Sequence, residues 1–216
     1  MKFAVLPESF FEPSAEIVAP LLLGQWLIRQ TPRGLCGGPI VETEAYICND
    51  AACHAARGET PRNRVMWGKP GRSYVYLIYG FHFCFNAVCQ PAGIAEAVLV
   101  RAIEPIFGED LMREKRPVTN VLDLTNGPGK LCAAMAIDRT LDGANLCEAN
   151  SALYIARNPM LELFRKERGP IVTTTRIGIS KAAEMPLRFY LEGSPFISKR
   201  MAGSKLKLRS KIKINR

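Results

Sequence analysis

The fold turns on Ile40-Val41-Glu42-Thr43-Glu44-Ala45-Tyr46. Its residues alternate, and alternation marks a half-buried β-strand, because successive side chains point to opposite faces. Val41, Thr43 and Ala45 then form a packed face. Glu42, Glu44 and Tyr46 share the other, so two carboxylates and an aromatic ring lie on one surface. A carboxylate held beside a stacking ring can do acid–base chemistry on something flat. Solvated glutamates on an edge strand would give the same pattern, since exposed Glu is ordinary.

Working outward, Gln25–Arg29 and Gly38–Tyr46 read as strands around a glycine-rich turn at 32–38. Before them, Ser14 is a candidate N-cap for a helix over Ala15–Leu23 that stops at Gly24, with Pro20 forcing a kink or a late start. Residues 48–71 are polar, basic and loop-like, and Thr60-Pro61 within them suits an N-cap and first helical residue. Ser73–Val88 is aromatic-rich and strand-like on both sides of Tyr79-Gly80, hence a β-hairpin with a tyrosine at its tip. A tyrosine where Asn or Gly is usual has no evident folding purpose, unless the ring folds back over an apolar cluster. A three-residue loop at Tyr79–Phe81 pairs 76 with 84 and 74 with 86, which puts Tyr74, Tyr76 and Asn86 on one face.

Ala95–Ile103 is a nearly continuous apolar strand interrupted by Arg101. A guanidinium there is costly unless paired. Glu44 on a neighbouring strand is a candidate partner; Glu104 or solvent at the strand end is the alternative. Phe107–Arg116 and Pro128–Ile137 read as helices, and 171–179 and 186–192 as late strands. Gly127-Pro128-Gly129-Lys130 could hold a phosphate at a helix start, but it is no P-loop, since Leu131 follows the lysine.

The 216 residues allow one well-buried domain. Net charge is +9, but residues 199–216 carry eight basic side chains and no acid, which leaves +1 on the rest. A basic patch on the body must therefore be local, and Arg57, Arg62, Arg64, Lys69 and Arg72 provide one against the single acid Glu59. Seven cysteines in mostly apolar surroundings read as reduced thiols. Zinc at Cys48, Cys53, Cys84 and Cys89 is disfavoured, because Cys84 and Cys89 fall at opposite parities of a strand. The N-terminal apolar stretch is too short for a signal peptide, and no run reaches membrane-spanning length. A soluble, cytoplasmic protein is expected, nucleoid-associated in a bacterial cell.

Val-Glu-Thr-Glu-Ala-Tyr (41–46), Ala-Cys-His (52–54), Thr-Pro-Arg-Asn-Arg (60–64), Lys-Pro-Gly (69–71), Tyr-Val-Tyr-Leu-Ile-Tyr-Gly (74–80), Phe-Cys-Phe-Asn (83–86), Leu-Val-Arg-Ala-Ile-Glu-Pro (99–105), Gly-Pro-Gly-Lys-Leu-Cys (127–132) and Leu-Arg-Phe-Tyr (187–190) together resemble the alkyladenine (3-methyladenine) DNA glycosylase family. The resemblance runs in order over roughly residues 15–198. It implies a single mixed α+β domain over 1–198, with a curved antiparallel sheet, flanking helices and a protruding DNA-intercalating hairpin. A flexible basic tail would follow over 199–216.

The resemblance also implies roles. Glu44 matches the general base that activates a water for attack on C1′. Arg101 and the main-chain carbonyl of Ile177 match groups that hold that water. Tyr46 and Tyr76 match rings that sandwich an extruded base, with His54 at the pocket edge offering a backbone hydrogen bond. Tyr79 matches the side chain that fills the vacated stack, and Asn86 the one that collides with the 2-amino group of guanine. Thr60, Arg62, Arg64, Lys69 and Lys130 are expected on the DNA backbone. The implied enzyme is a monofunctional, monomeric glycosylase that excises alkylated or deaminated purines from double-stranded DNA in base excision repair, with no metal and no cofactor.

Elementary chemistry agrees. A carbon inside a duplex is unreachable unless the nucleotide is flipped and the gap filled. Cleavage through an oxocarbenium-like state is helped by a carboxylate, and phosphate contacts position without reading sequence. A lyase would need a lysine nucleophile, and neither Lys69 nor Lys130 matches one. The chain departs from the mammalian pattern at His82, which replaces a tyrosine, and in shorter loops before His54 and Leu187. Two other readings remain: a catalytically silent nucleic-acid-binding module, and a metal-dependent hydrolase built on Glu42, Glu44 and His54.

Overall fold

One long strand carries the architecture. The computed structural model describes residues 3–200. In chain order it contains α1 (Ala15–Leu22), β1 (Trp26–Thr31), β2 (Gly34–Tyr46), β3 (Ser73–Ile78), β4 (His82–Cys89) and β5 (Glu96–Ile103). There follow α2 (Glu109–Lys115), α3 (Leu122–Thr125), α4 (Pro128–Ala134), β6 (Leu153–Ala156), α5 (Leu161–Arg168), β7 (Ile171–Thr174) and β8 (Arg188–Leu191). The first half of β2 pairs antiparallel with β1, and its second half lies between β5 and β8. Strand order β3-β4-β5-β2-β1-β6, with β8 and then β7 branching from β2, makes one curled antiparallel half-barrel in a single mixed α/β domain.

Alternation sorts the side chains as the sequence pattern requires. Val41, Ala45, Val75, Phe85, Ala87, Val98 and Val100 enter the main core beside Val18, Ala19 and Leu22 of α1 and Leu131 and Cys132 of α4. Tyr74, Tyr76, Cys84, Ala97 and Leu99 point the other way, into a second cluster that includes Tyr46. The hairpin register is Tyr74↔Asn86, Tyr76↔Cys84 and Ile78↔His82, the three-residue loop expected. Glu42 and Glu44 are fully buried, not solvated edge residues, because β5 and β8 cover β2 on both sides.

Several local expectations are corrected. The glycine-rich turn at 32–38 is only Pro32-Arg33, and Gly37 and Gly38 lie inside β2. They are there for close approach: a Cβ would meet Leu27 O at 2.0 Å from Gly37 and Glu104 O at 1.9 Å from Gly38. Thr60 caps no helix: its N–H donates to Asn63 Oδ1 at 2.7 Å in a turn, and only a short 3-10 segment, Arg64–Trp67, follows. The strand expected over 171–179 ends at Thr174, since Arg176 and Ile177 bond elsewhere. Pro20 lies within α1, which starts at Ala15. The tail from 201 onward lies outside the described residues, while Lys199 and Arg200 are bonded back through Arg188, Glu192 and Ser194.

Ser14 occupies the N-cap position, but its side chain makes no cap bond; Glu96 Oε2 accepts the Ala15 N–H at 2.8 Å instead. Ser14→Ala is therefore expected to change stability by less than about 0.5 kcal/mol, against about 1 kcal/mol for a working cap. Urea unfolding checks this, and a loss of the full cap value would contradict it.

Candidate active site

The second face of the sheet opens into a cleft of about 360 Å³ lined by Tyr46, His54, Tyr76, Tyr79, Arg101 and Ile177, among others. That volume lies in the range of small-ligand sites. Tyr79 stands at the hairpin tip, 72% exposed, with φ +53 beside Gly80 at φ +80. A non-glycine residue in this region costs on the order of 1–3 kcal/mol, a strain typical of functional turns. The ring does not fold back over the core. Phe81 is equally exposed, and its ring lies 4.2 Å from that of His82, which packs over Gly129 at the start of α4.

Behind the cleft sits a buried charge network. Glu44 Oε1 accepts the Ile177 N–H at 2.8 Å, and Oε2 accepts from the Tyr46 hydroxyl at 3.1 Å and faces Arg101 Nη1 at 3.2 Å. Arg101 has a second and closer partner that sequence reasoning did not name: its Nε donates to Glu42 Oε1 at 2.9 Å. Glu42 also accepts from Arg188 Nε at 2.7 Å, Ser198 Oγ at 2.8 Å and Ser198 N–H at 2.6 Å. The strand register explains how Arg101 gets there. Glu42 opposes Ala102 and Thr43 opposes Val100, so Arg101 is the extra residue of a β-bulge, which re-aims its side chain. Burial alone would lower the Arg101 pKa, but Glu44 and Glu42 raise it. Burial, and then Glu44, push the Tyr46 phenol well up, so it keeps the proton it donates to Glu44.

Two segments close the mouth. Asn63 is buried, and its Nδ2 donates to the carbonyls of His54 and Gly58 at 2.9 and 3.0 Å, which fixes the loop that carries Thr60 and Arg62. Thr60, Arg62, Arg64 and Lys69 are exposed, with Arg62 over the Tyr76 ring at 5.4 Å. Lys130 is held by Asp123 Oδ1 at 3.1 Å and Asn126 Oδ1 at 2.8 Å. Asn86 lies outside the main cleft, in a narrow recess of about 20 Å³ shared with Tyr46, His54, Tyr74 and Tyr76. Its Nδ2 donates to Tyr74 O at 3.1 Å. Opposite, Ile177, Gly178 and Ile179 form a wall that sequence patterning read as a strand.

His54 Nδ1 lies 2.9 Å from the Tyr74 hydroxyl, and its ring stands edge-on to Tyr76 at 4.4 Å. Burial and then Arg62 both disfavour the imidazolium, so its pKa lies below the ordinary value. As pH falls below about 6.5, the unfolded chain takes up this proton first, and stability is lost between that pH and the lower folded pKa. An NMR titration should place His54 below about 6.5, and a value above it would contradict this account.

Among the described residues no group of three or more His, Cys, Asp or Glu side chains is arranged to hold a metal ion, and no helix is long and apolar enough to cross a membrane.

A fully buried carboxylate, an arginine clamp and an aromatic cleft beside an exposed aromatic hairpin tip are features of an enzyme that acts on a planar group. Residues 9–195 match the methylpurine-DNA glycosylase family. The chain is 48% identical to a "Putative 3-methyladenine DNA glycosylase" of Methanocella arvoryzae over 92% of this chain and 98% of that protein. Proteins of the same name from Carboxydothermus hydrogenoformans (45% identical, 91% of this chain, 100% of that one) and Agrobacterium fabrum (48%, 90% and 93%) are similar to it as well. The chain belongs to the methylpurine-DNA glycosylase family, and its activity is that of a DNA glycosylase of DNA repair acting on damaged DNA.

Proposed function

We propose that this protein is a monofunctional, metal-independent N-glycosyl hydrolase that flips alkylated or deaminated purines from double-stranded DNA and releases them with a Glu44-activated water. The observation that carries this reading is the hydrogen bonding of Glu44. A carboxylate offers about four lone-pair sites. Ile177, Tyr46 and Arg101 occupy three of them. The fourth can hold a water at the cleft, oriented by Arg101 and the Ile177 carbonyl. In that position the carboxylate removes a proton from the water and faces the positive charge that develops on the sugar.

Tyr46 and Tyr76 are the walls between which the extruded base stacks, worth about 1–3 kcal/mol. The His54 backbone contacts its edge, and Asn86 in the recess below excludes the 2-amino group of guanine. Tyr79 fills the gap in the duplex from the minor groove. Thr60, Arg62, Arg64 and Lys69 contact phosphates; Lys130, bound to Asp123 and Asn126, would contribute less. The protein acts as a monomer, and a basic tail beyond residue 200 adds sequence-independent attraction to DNA. If truncating it left the salt slope of binding unchanged, the tail would be idle.

Tyr79→Ala tests the flipping step. With etheno-adenine in a duplex, the variant should lose the fluorescence change of extrusion while still binding undamaged DNA through Thr60, Arg62, Arg64 and Lys69. Unaltered extrusion would remove Tyr79 from the mechanism.

A further inference from the structure

Arg176 and Asp50 are a second buried ion pair, both side chains 0% exposed, and no step above uses them. Arg176 Nη1 bonds Asp50 Oδ2 and donates to Ala45 O at 3.0 Å; Nη2 reaches Asp50 Oδ1 at 3.0 Å and Ala182 O at 3.3 Å. The guanidinium carbon lies 4.7 Å over the Tyr46 ring. The next residue, Ile177, supplies the N–H to Glu44. One side chain therefore ties together the loop after β2, the backbone between Glu44 and Tyr46, the back of the Tyr46 ring, and the 176–182 loop that forms the far wall. Stability is a poor account of this arrangement. Arg176 Nε is buried without a partner, and a buried pair is often no better than apolar side chains of similar size.

We propose that Arg176–Asp50 is a positioning pair. It sets the Tyr46 ring and the Ile177 amide against Glu44, so that base stacking and water activation share one alignment. This rests on the roles given above to Glu44 and Tyr46. The test uses R176M/D50N, which removes both charges and strands neither, and R176K, which keeps the charge but lacks the planar fork. Both variants should bind undamaged duplex as wild type does. Their single-turnover base release should fall on the order of 100-fold, as misplacement of about 1 Å does elsewhere, and the extruded fraction of etheno-adenine should fall with it. Wild-type release and extrusion in R176M/D50N, or full recovery in R176K, would overturn the proposal, as would a change in melting temperature alone. A wild type that extrudes etheno-adenine but releases no base would overturn the hydrolytic reading instead, and extrusion in the variants would still judge the pair.

Discussion

Glu42→Gln is expected to destabilise the protein by about 3–5 kcal/mol, lowering Tm by roughly 6–20 °C. Glu42 is fully buried and accepts from Arg101, from Arg188 and twice from Ser198. An amide of the same shape can keep the Ser198 bonds, but it cannot balance two guanidinium groups. Arg101 retains Glu44 and the Ser198 hydroxyl, whereas Arg188 is left with the Lys199 carbonyl and the Tyr190 ring. Each side of the network is costly to bury alone, so the loss exceeds that of an ordinary hydrogen bond. Without its Nε bond to Glu42, Arg101 should also meet Glu44 in a changed alignment, so base release should slow in the folded fraction. A calorimetric melt close to wild type would show that the hub is dispensable.

Glu44→Gln is expected to reduce single-turnover base release by about 10²–10⁴-fold, the usual contribution of a general base. The amide NH2 would have to face either the Ile177 N–H or the Arg101 guanidinium, both donors. Some loss of stability is therefore expected as well, and rates must be compared on folded protein. DNA binding should survive, because Thr60, Arg62, Arg64 and Lys69 are exposed and none of them bonds Glu44. Retained cleavage would move the base elsewhere.

Strand periodicity made much of this legible. Alternation alone placed Glu42, Glu44 and Tyr46 on one face, and loop length alone placed Asn86 beside Tyr74, because a period of two leaves only one other choice. What stayed hidden depends on contacts distant in sequence. Two register shifts, at Val41 and Arg101, aim Arg101 at Glu42 as well as Glu44, and no local pattern announces a bulge. Asp50 and Arg176 lie in irregular segments 126 residues apart. Asp50 stands two residues before Ala52-Cys53-His54 and Arg176 directly before Ile177, and nothing local to either joins them. β6 is four residues and too short to tell from any apolar run. α5 has no capping side chain, and it is held by Arg165 donating to Leu23 O and by Leu161 packed where a Gly24 Cβ would stand. Gly37 and Gly38 read as a turn because glycine marks turns and close approaches alike.

The most direct test is product analysis of one turnover by the wild-type enzyme, in chelator, on a duplex with a single hypoxanthine or etheno-adenine. Free base and an intact abasic strand, with one oxygen from labelled water on the sugar, is the predicted result. Release of no base from either duplex, or a strand break with an enzyme–DNA adduct trapped by borohydride, would contradict hydrolysis by a water held at Glu44.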